Sequence, residues 1–281
     1  MDPLLFKKNV IGNNNTAIGY TALQNNTTSQ LTAVGSGALQ NNTTGFNNTA
    51  IGYSALNANI TGSHNTAIGH LALNANSLSN QHTAIGSSAL LSHTTTGASN
   101  TAIGYQALAS ILTGSNNIAI GDAAGTAYLG SESNNILTGN PGTVSELTTI
   151  RIGVQGTQTA CYIAGINGST VNATGIAVSV DSTGKLGTTV SSIRYKQDVH
   201  SIEDVSLPIL DLQPVAFRYK HDPNHLQYGL IAEDVEKVLS EIVIYNDKCE
   251  PETIQYQILP IFLLNEIQRL RKRVLAYIAK N

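Results

Sequence analysis

Asn48-Thr49-Ala50-Ile51-Gly52-Tyr53-Ser54-Ala55-Leu56 is one member of a tandem series, and the reading of that series decides the fold. Its four-residue core recurs at residues 16–19, 32–35, 49–52, 66–69, 83–86, 101–104 and 118–121, at spacings of 16, 17, 17, 17, 18 and 17 residues. Six of the seven cores are followed, after two variable residues, by Ala-Leu. The seventh is followed by Asp122-Ala123-Ala124-Gly125 and departs from the pattern as a terminal repeat does. Repetition at a short fixed period is the signature of a solenoid. A helical unit is excluded, because 17 residues are too few for a helix pair and Gly, Asn and Thr are poor helix formers. The alternating Thr-x-Ile core suits a short strand. The following Gly permits a tight bend, and stretches such as Asn13-Asn14-Asn15 suit left-handed turns. Stacked turns, about 4.8 Å apart, are expected to bury the Ile and Leu ladders together. One thin roll buries little apolar surface, so closing three rolls around an axis is the expected remedy.

Charge divides the chain. Between Asn9 and Gly121 there is no Asp, Glu, Lys or Arg, whereas the last 91 residues hold 24 of the 33 formal charges. Three regions follow: a β-roll repeat region over 1–130, a β-rich stalk over 131–190 and a separate domain over 191–281. A net charge of -3 argues against electrostatic binding of nucleic acid. Cys161 and Cys249 have no metal-type spacing and read as ordinary thiols. No apolar run approaches the ~18 to 20 residues of a membrane span, and residues 1–8 lack the basic-then-apolar order of a secretion signal. No cofactor or metal is expected. Calcium-binding repeats need Asp, glycoside hydrolysis needs paired carboxylates, and both are absent from the repeats, while His64, His70, His82 and His93 have no repeat-locked spacing. The repeats read as a spacer or as a surface for a cell-surface glycan or receptor. In the second reading Tyr20, Tyr53 and Tyr105, which share the position after the core Gly, form the contact line, although Ser36, His70 and Ser87 hold the same position elsewhere.

In the stalk the pattern becomes short β-prone runs, Thr149-Ile150-Arg151-Ile152-Gly153, Ala160-Cys161-Tyr162-Ile163-Ala164-Gly165 and Ile176-Ala177-Val178-Ser179-Val180. Turns fall at Asn140-Pro141-Gly142 and Asp181-Ser182-Thr183-Gly184. Beyond it, 202–212 reads as a short helix interrupted by Pro208, 215–219 and 227–231 as strands, and 232–239 as a helix with Glu233 and Asp234 at its positive end. Strands at 241–245 and 253–256 precede a long helix from about 258. In that helix Leu263, Ile267, Leu270, Val274 and Tyr277 fall at alternating four- and three-residue steps, the seam of a coiled coil or the inner face of an ordinary core helix.

Ser191-Ser192-Ile193-Arg194-Tyr195-Lys196 stands at the boundary. A serine hydroxyl is a weak nucleophile until a base removes its proton, and a lysine serves when burial or a neighbouring cation favours its neutral form. Ser191 and Lys196 are candidates for such a dyad, with Arg194 the nearby cation. The sequence from Ser191 onward resembles the intramolecular chaperone domain of phage endosialidase tail spikes and related tail fibres. The resemblance rests on Ser191 to Val199, then Leu212-Gln213-Pro214-Val215-Ala216-Phe217-Arg218-Tyr219-Lys220, Tyr228-Gly229-Leu230-Ile231-Ala232-Glu233-Asp234-Val235, Glu252-Thr253-Ile254-Gln255-Tyr256 and a closing helix, in that order. The Asn-Thr-Ala-Ile-Gly units with their Ala-Leu pairs resemble the left-handed parallel β-roll heads of trimeric autotransporter adhesins of the YadA type, with a longer outer loop.

These resemblances imply a mainly β fold: a trimeric left-handed parallel β-roll and β stalk, followed by a small α+β chaperone domain ending in a coiled-coil helix. They imply that the domain trimerises, guides the β-rich region into register and is released by a single-turnover cut of the Val190-Ser191 bond. Ser191 would be the nucleophile and Lys196 its general base. Ser192 stands where the family has Asp, which bears on the cleavage rate. A chaperone that stays attached as a trimerisation module is the alternative. The implied partner is a second and third copy of the chain, and the implied setting is a virion tail fibre or a bacterial cell surface.

Overall fold

The computed structural model describes residues 12–94, 97–166, 169–246 and 248–280; the lead at 1–8 and the first residues of the repeats lie outside them. The chain divides into two compact units, Met1–Thr188 and Thr189–Asn281. In the first, nine three-residue strands form one parallel sheet in chain order: β1 (Thr16–Ile18), β2 (Thr32–Val34), β3 (Thr49–Ile51), β4 (Thr66–Ile68), β5 (Thr83–Ile85), β6 (Thr101–Ile103), β7 (Ile118–Ile120), β8 (Ile136–Thr138) and β9 (Ile150–Ile152). Register is in phase with the repeat, so that Thr49 pairs with Thr66, Ala50 with Ala67 and Ile51 with Ile68. The fold is a parallel β-solenoid.

Its interior differs from the expected Ile and Leu ladders in one column. Ala33, Ala50, Ala67, Ala84, Ala102 and Ala119 are fully buried, as are Leu39, Leu56, Leu73, Leu90 and Leu108. Ile18 is 58 % exposed and Ile51 38 %. Alternation along a strand puts the middle side chain on the face opposite its two neighbours. With Leu filling the interior from the other wall, the space left suits a methyl group, so Ala points in while Thr and Ile point out. The six Leu of the Ala-Leu pairs, Leu23 to Leu108, have φ between 49° and 51°. A left-handed conformation costs a residue with a Cβ about 1–2 kcal/mol, and full burial of a Leu stabilises by roughly 1.5–3 kcal/mol. Burial wins, so the turn uses Leu at a position where conformation alone favours Gly or Asn.

Two columns of asparagine line the same interior, Asn26, Asn42, Asn59 and Asn76 in one and Asn48, Asn65, Asn100, Asn117 and Asn135 in the other, each at most 1 % exposed. Asn42 Nδ2 donates to Gly45 O at 2.9 Å, closing its own turn, and to Asn26 Oδ1 at 2.9 Å in the turn below. Asn48 Nδ2 donates to Gly62 O at 2.7 Å while its Oδ1 accepts from Asn65 N at 2.8 Å. Buried amides cost little only when paired in this way.

The sheet continues two strands past the repeat region. After Gly121 the Ala-Leu pair disappears, yet Leu137 replaces the inward Ala and Tyr128 is fully buried. Tyr128 Oη donates to Glu146 Oε2 at 3.0 Å, and Arg151 of the last strand binds Glu146 through Nε at 2.8 and 3.0 Å and Nη2 at 2.6 Å. Burial alone would raise the Glu146 carboxyl, but hydrogen bonds from Arg151 and Tyr128 hold it below its ordinary value. This ionic cluster and the buried Glu132 stand at the end of a stack whose repeats from Asn9 to Gly121 carry no charge. Of the expected stalk strands, 149–153 forms β9, and 176–180 is reduced to β10 (Ser179–Val180), which pairs antiparallel with β11 (Leu186–Gly187). The run 160–165 forms no strand, with Tyr162 95 % exposed. Apolar alternation makes a strand only where an edge is available to pair.

The second unit closely follows the expected order. A 3-10 helix spans Glu203–Asp211, where Pro208 removes the donor that an α-helix needs. β12 (Val215–Tyr219) pairs antiparallel with β13, which begins at Asp222 and stops at Gly229. α1 (Ala232–Leu239), β14 (Val243–Tyr245), β15 (Pro251–Ile254) and α2 (Leu259–Ile278) follow. Ile209, Val235, Leu239, Ile242, Val243, Ile254 and Phe262 form its core. One edge of α2 is tied to the 3-10 helix by Asn265 Nδ2 donating to Ser206 Oγ at 2.7 Å and by an Arg269–Asp204 ion pair at 2.7 Å. Among the described residues no helix is long and apolar enough to cross a membrane.

Candidate functional site

The junction is built by one short turn. Ser192, extended at φ -65° and ψ 141°, caps a 3-10 turn over Ile193–Tyr195; its Oγ accepts from Arg194 N at 3.4 Å and from Arg194 Nε at 3.2 Å. Tyr195 N donates to Ser192 O at 3.0 Å and Lys196 N to Ile193 O at 3.1 Å, closing the turn. A 3-10 turn advances about 2 Å per residue, so the residues flanking it are brought within side-chain reach. Lys196 Nζ lies 3.2 Å from Ser191 Oγ and donates to it. The Arg194 guanidinium sits 5.7 Å from the centroid of the Tyr195 ring. Of the four expected residues the turn brings Ser191 and Lys196 into hydrogen-bond reach, while Arg194 is held against Ser192 and Tyr195. The fourth residue, Ser192, supplies the backbone cap, a role that an Asp side chain serves equally well.

The pair is open to solvent. Ser191 and Lys196 are exposed in the single chain, and Val190 on the other side of the bond is 58 % exposed. A general base in hydrogen-bond reach of a hydroxyl satisfies the geometric requirement for proton transfer. Exclusion of water, which strengthens such a pair, is not supplied by the described residues of this chain.

The other expected residues lie apart from this turn. Leu263, Ile267, Leu270 and Val274 are 46 %, 62 %, 61 % and 47 % exposed, on the face of α2 turned away from Phe262 and Asn265. The core-helix alternative for them does not hold, since that role belongs to Phe262. Tyr20, Tyr53 and Tyr105 stand in one column after Gly19, Gly52 and Gly104, all more than half exposed, with Tyr53 stacked on His70 at 5.5 Å between ring centroids. His82 and His93, read from sequence as unphased, occupy asparagine positions in the two buried columns and meet edge to face at 4.4 Å. His82 stands directly before a core Thr and His93 three residues after the Leu of an Ala-Leu pair, so reading those two positions down the repeats finds them.

Residues 191–244 match the family described as chaperone of endosialidase. The match opens on Ser191 and runs through the junction, the 3-10 helix, the β12–β13 hairpin and α1 into β14. It supports an assembly role for this part of the chain. No curated protein and no solved structure matches the chain.

Proposed function

We propose that this chain is a trimeric fibre or adhesin-type protein whose C-terminal region seeds assembly of the β-solenoid and then releases itself by cutting the Val190-Ser191 bond. The 3.2 Å approach of Lys196 Nζ to Ser191 Oγ, at the first residue of the family match, carries the reading. In it neutral Lys196 takes the hydroxyl proton as Ser191 Oγ attacks the Val190 carbonyl carbon, the Val190 C–Ser191 N bond breaks as that proton passes to the Ser191 amine, and water then hydrolyses the Val190–Ser191 ester to a Val190 carboxylate and a free hydroxyl. The C-terminal region leaves with Ser191 as its first residue.

Three exposed apolar surfaces favour a trimer. The face of α2 bearing Leu263, Ile267, Leu270 and Val274, the outward Ile column of the solenoid and the apolar residues of 153–188 all lack cover in one chain. A trimer seed raises the local concentration of the strands and sets their register, which matters for a fold whose nine-strand sheet offers unpaired edges. The Tyr20, Tyr53 and Tyr105 column is the candidate contact line for a cell-surface glycan or receptor, and the setting we favour is a virion tail fibre or a cell surface.

The second reading, an attached trimerisation module, draws on the exposure of the dyad and on Ser192 in place of Asp. Intact mass under denaturing conditions separates the two. Wild type split into a fibre piece and a piece of about 10 kDa starting at Ser191, with Ser191→Ala and Lys196→Ala whole, establishes the self-cleaving reading. A trimer of uncut wild-type chains establishes the other.

A further inference from the structure

The two buried histidines break the asparagine columns at one level of the stack. His82 takes the position held by Asn48, Asn65, Asn100 and Asn117, and His93 the position held by Asn26, Asn42, Asn59 and Asn76. Both rings are at most 1 % exposed, with centroids 4.4 Å apart and planes at 62°. Asn100 N donates to His82 Nδ1 at 3.2 Å, so the proton of neutral His82 sits on Nε2. His93 Nε2 lies 3.3 Å from Gly114 O and 3.4 Å from Asn100 Nδ2, which itself donates to Gly114 O at 2.7 Å; the tautomer with its proton on Nε2 serves Gly114 O and leaves Nδ1 bare. His82 Nε2, His93 Nδ1, Asn76 Oδ1 and Ser79 Oγ are buried without hydrogen-bond partners. Asn76 Oδ1 has lost the donor that an asparagine at 93 would bring, as Asn59 brings one to Asn42 at 2.7 Å.

We propose that the His82–His93 pair is an acid-operated release point in the solenoid: protonation of either ring opens the turns between β4 and β6 while turns farther along the stack stay closed.

A cation on His82 Nδ1 breaks the bond from Asn100 N, and one on either ring stands beside the other imidazole in repeats that carry no anion, Glu132 and Glu146 lying in later turns. Between Asn9 and Gly121 the sequence has no Asp, Glu, Lys or Arg, so no carboxylate on β4, β5, β6 or their turns faces the pair. The nearest other histidines, His64 and His70, lie on the outer surface against Phe46 and Tyr53. Burial, then the neighbouring His93, push His82 down to about 3 from 6.5, and burial lowers His93. For a base lowered in the folded state the closed form is fully stable above 6.5 and loses stability as pH falls from there toward about 3. Because each repeat contacts only its neighbours, a solenoid can open in one place.

The test is hydrogen exchange of the full chain at pH 7.5 and 4.5, corrected for intrinsic rates, in wild type and in the double variant His82→Asn, His93→Asn, which restores both columns. At pH 4.5 linkage to one such histidine amounts to about a hundredfold in the open-to-closed ratio. The expected result is an acid-enhanced opening of segment 77–100 by about tenfold or more, an unchanged segment 32–60, and no acid response in the double variant. An equal acid response in both segments, or one that survives in the double variant, overturns the proposal. Should the variant fail to fold, the wild-type comparison of the two segments decides alone.

Discussion

Asn59 Nδ2 donates to Asn42 Oδ1 at 2.7 Å, and the two side chains, 17 residues apart in sequence, are both fully buried. Bonds of this kind join the successive turns from Asn26 to Asn76, where a β-sandwich would place apolar groups. Replacing Asn59 with Ala leaves Asn42 Oδ1 without its donor, takes from Asn76 Nδ2 the acceptor it has at 3.0 Å and empties the site, while Gly62 O keeps its bond from Asn48 Nδ2. Each orphaned group costs about 1–3 kcal/mol, so Asn59→Ala is expected to lower the unfolding free energy by roughly 2–5 kcal/mol, read from denaturant melts.

Gly52 has φ +136°, and a Cβ there would meet Gly69 O at 2.3 Å. Gly139, at φ +58°, has nothing within 4 Å of its Cβ position. Gly52→Ala must push two turns apart and is expected to abolish soluble folded protein. Gly139→Ala is expected to cost only about 1 kcal/mol, and comparing soluble yield and melting of the two variants checks the contrast.

The Glu146 cluster responds to pH in the last turns of the stack, where Asn135 Nδ2 donates to Glu146 O at 3.1 Å. Its carboxyl is held below the ordinary value, so its contribution is present above about 4.5 and is lost as pH falls through the folded value. Glu146→Gln is expected to weaken the solenoid at pH 7 by about 1–3 kcal/mol and to reduce the further loss below pH 4. Melting temperatures of wild type and variant at pH 7 and 3.5 read both effects.

Ser192 sets the turn that places Lys196 on Ser191. An N-cap is worth about 1 kcal/mol, near a factor of five, so Ser192→Ala is expected to slow cleavage about fivefold and Ser192→Asp to match or exceed wild type. The time course of the C-terminal fragment after synthesis measures this. Equal rates for all three would remove Ser192 from any positioning role.

Leu270 is 61 % exposed on the free face of α2. Leu270→Lys is expected to leave the fold of the single chain unchanged within about 0.5 kcal/mol while abolishing the proposed trimer. Sedimentation and far-UV circular dichroism together distinguish this from plain unfolding.

The solenoid is legible in sequence because its columns each repeat one letter at a nearly constant step. Thr49, Ala50 and Ile51 pair with Thr66, Ala67 and Ile68 as that step requires. Which of the three points inward is not legible, because Thr-Ala-Ile alternates equally well either way; the choice depends on Leu56 and its equivalents filling the space across the coil. The left-handed Leu positions are hidden for a related reason, since only tertiary burial offsets their backbone cost. In the second unit α1 and β12 coincide with expectation to the residue. At the junction the residues are visible in sequence, but the 3.2 Å contact depends on Ser192 completing a turn. The run 160–165 alternates like a strand and forms none, because pairing needs an edge that the sequence of one chain does not declare.

The alanine column bears on how such a protein changes length. Ala33, Ala50, Ala67, Ala84 and Ala102 occupy equivalent places, and the asparagine and glycine bonds described above reach only the adjacent turn. No side chain in the repeats has to know how many copies lie above or below it. Recombination that duplicates or deletes one unit of about 17 residues therefore adds or removes a turn while the two ends stay as they are. Unequal crossing-over becomes a ruler: repeat number can drift under selection for reach without a single compensating substitution.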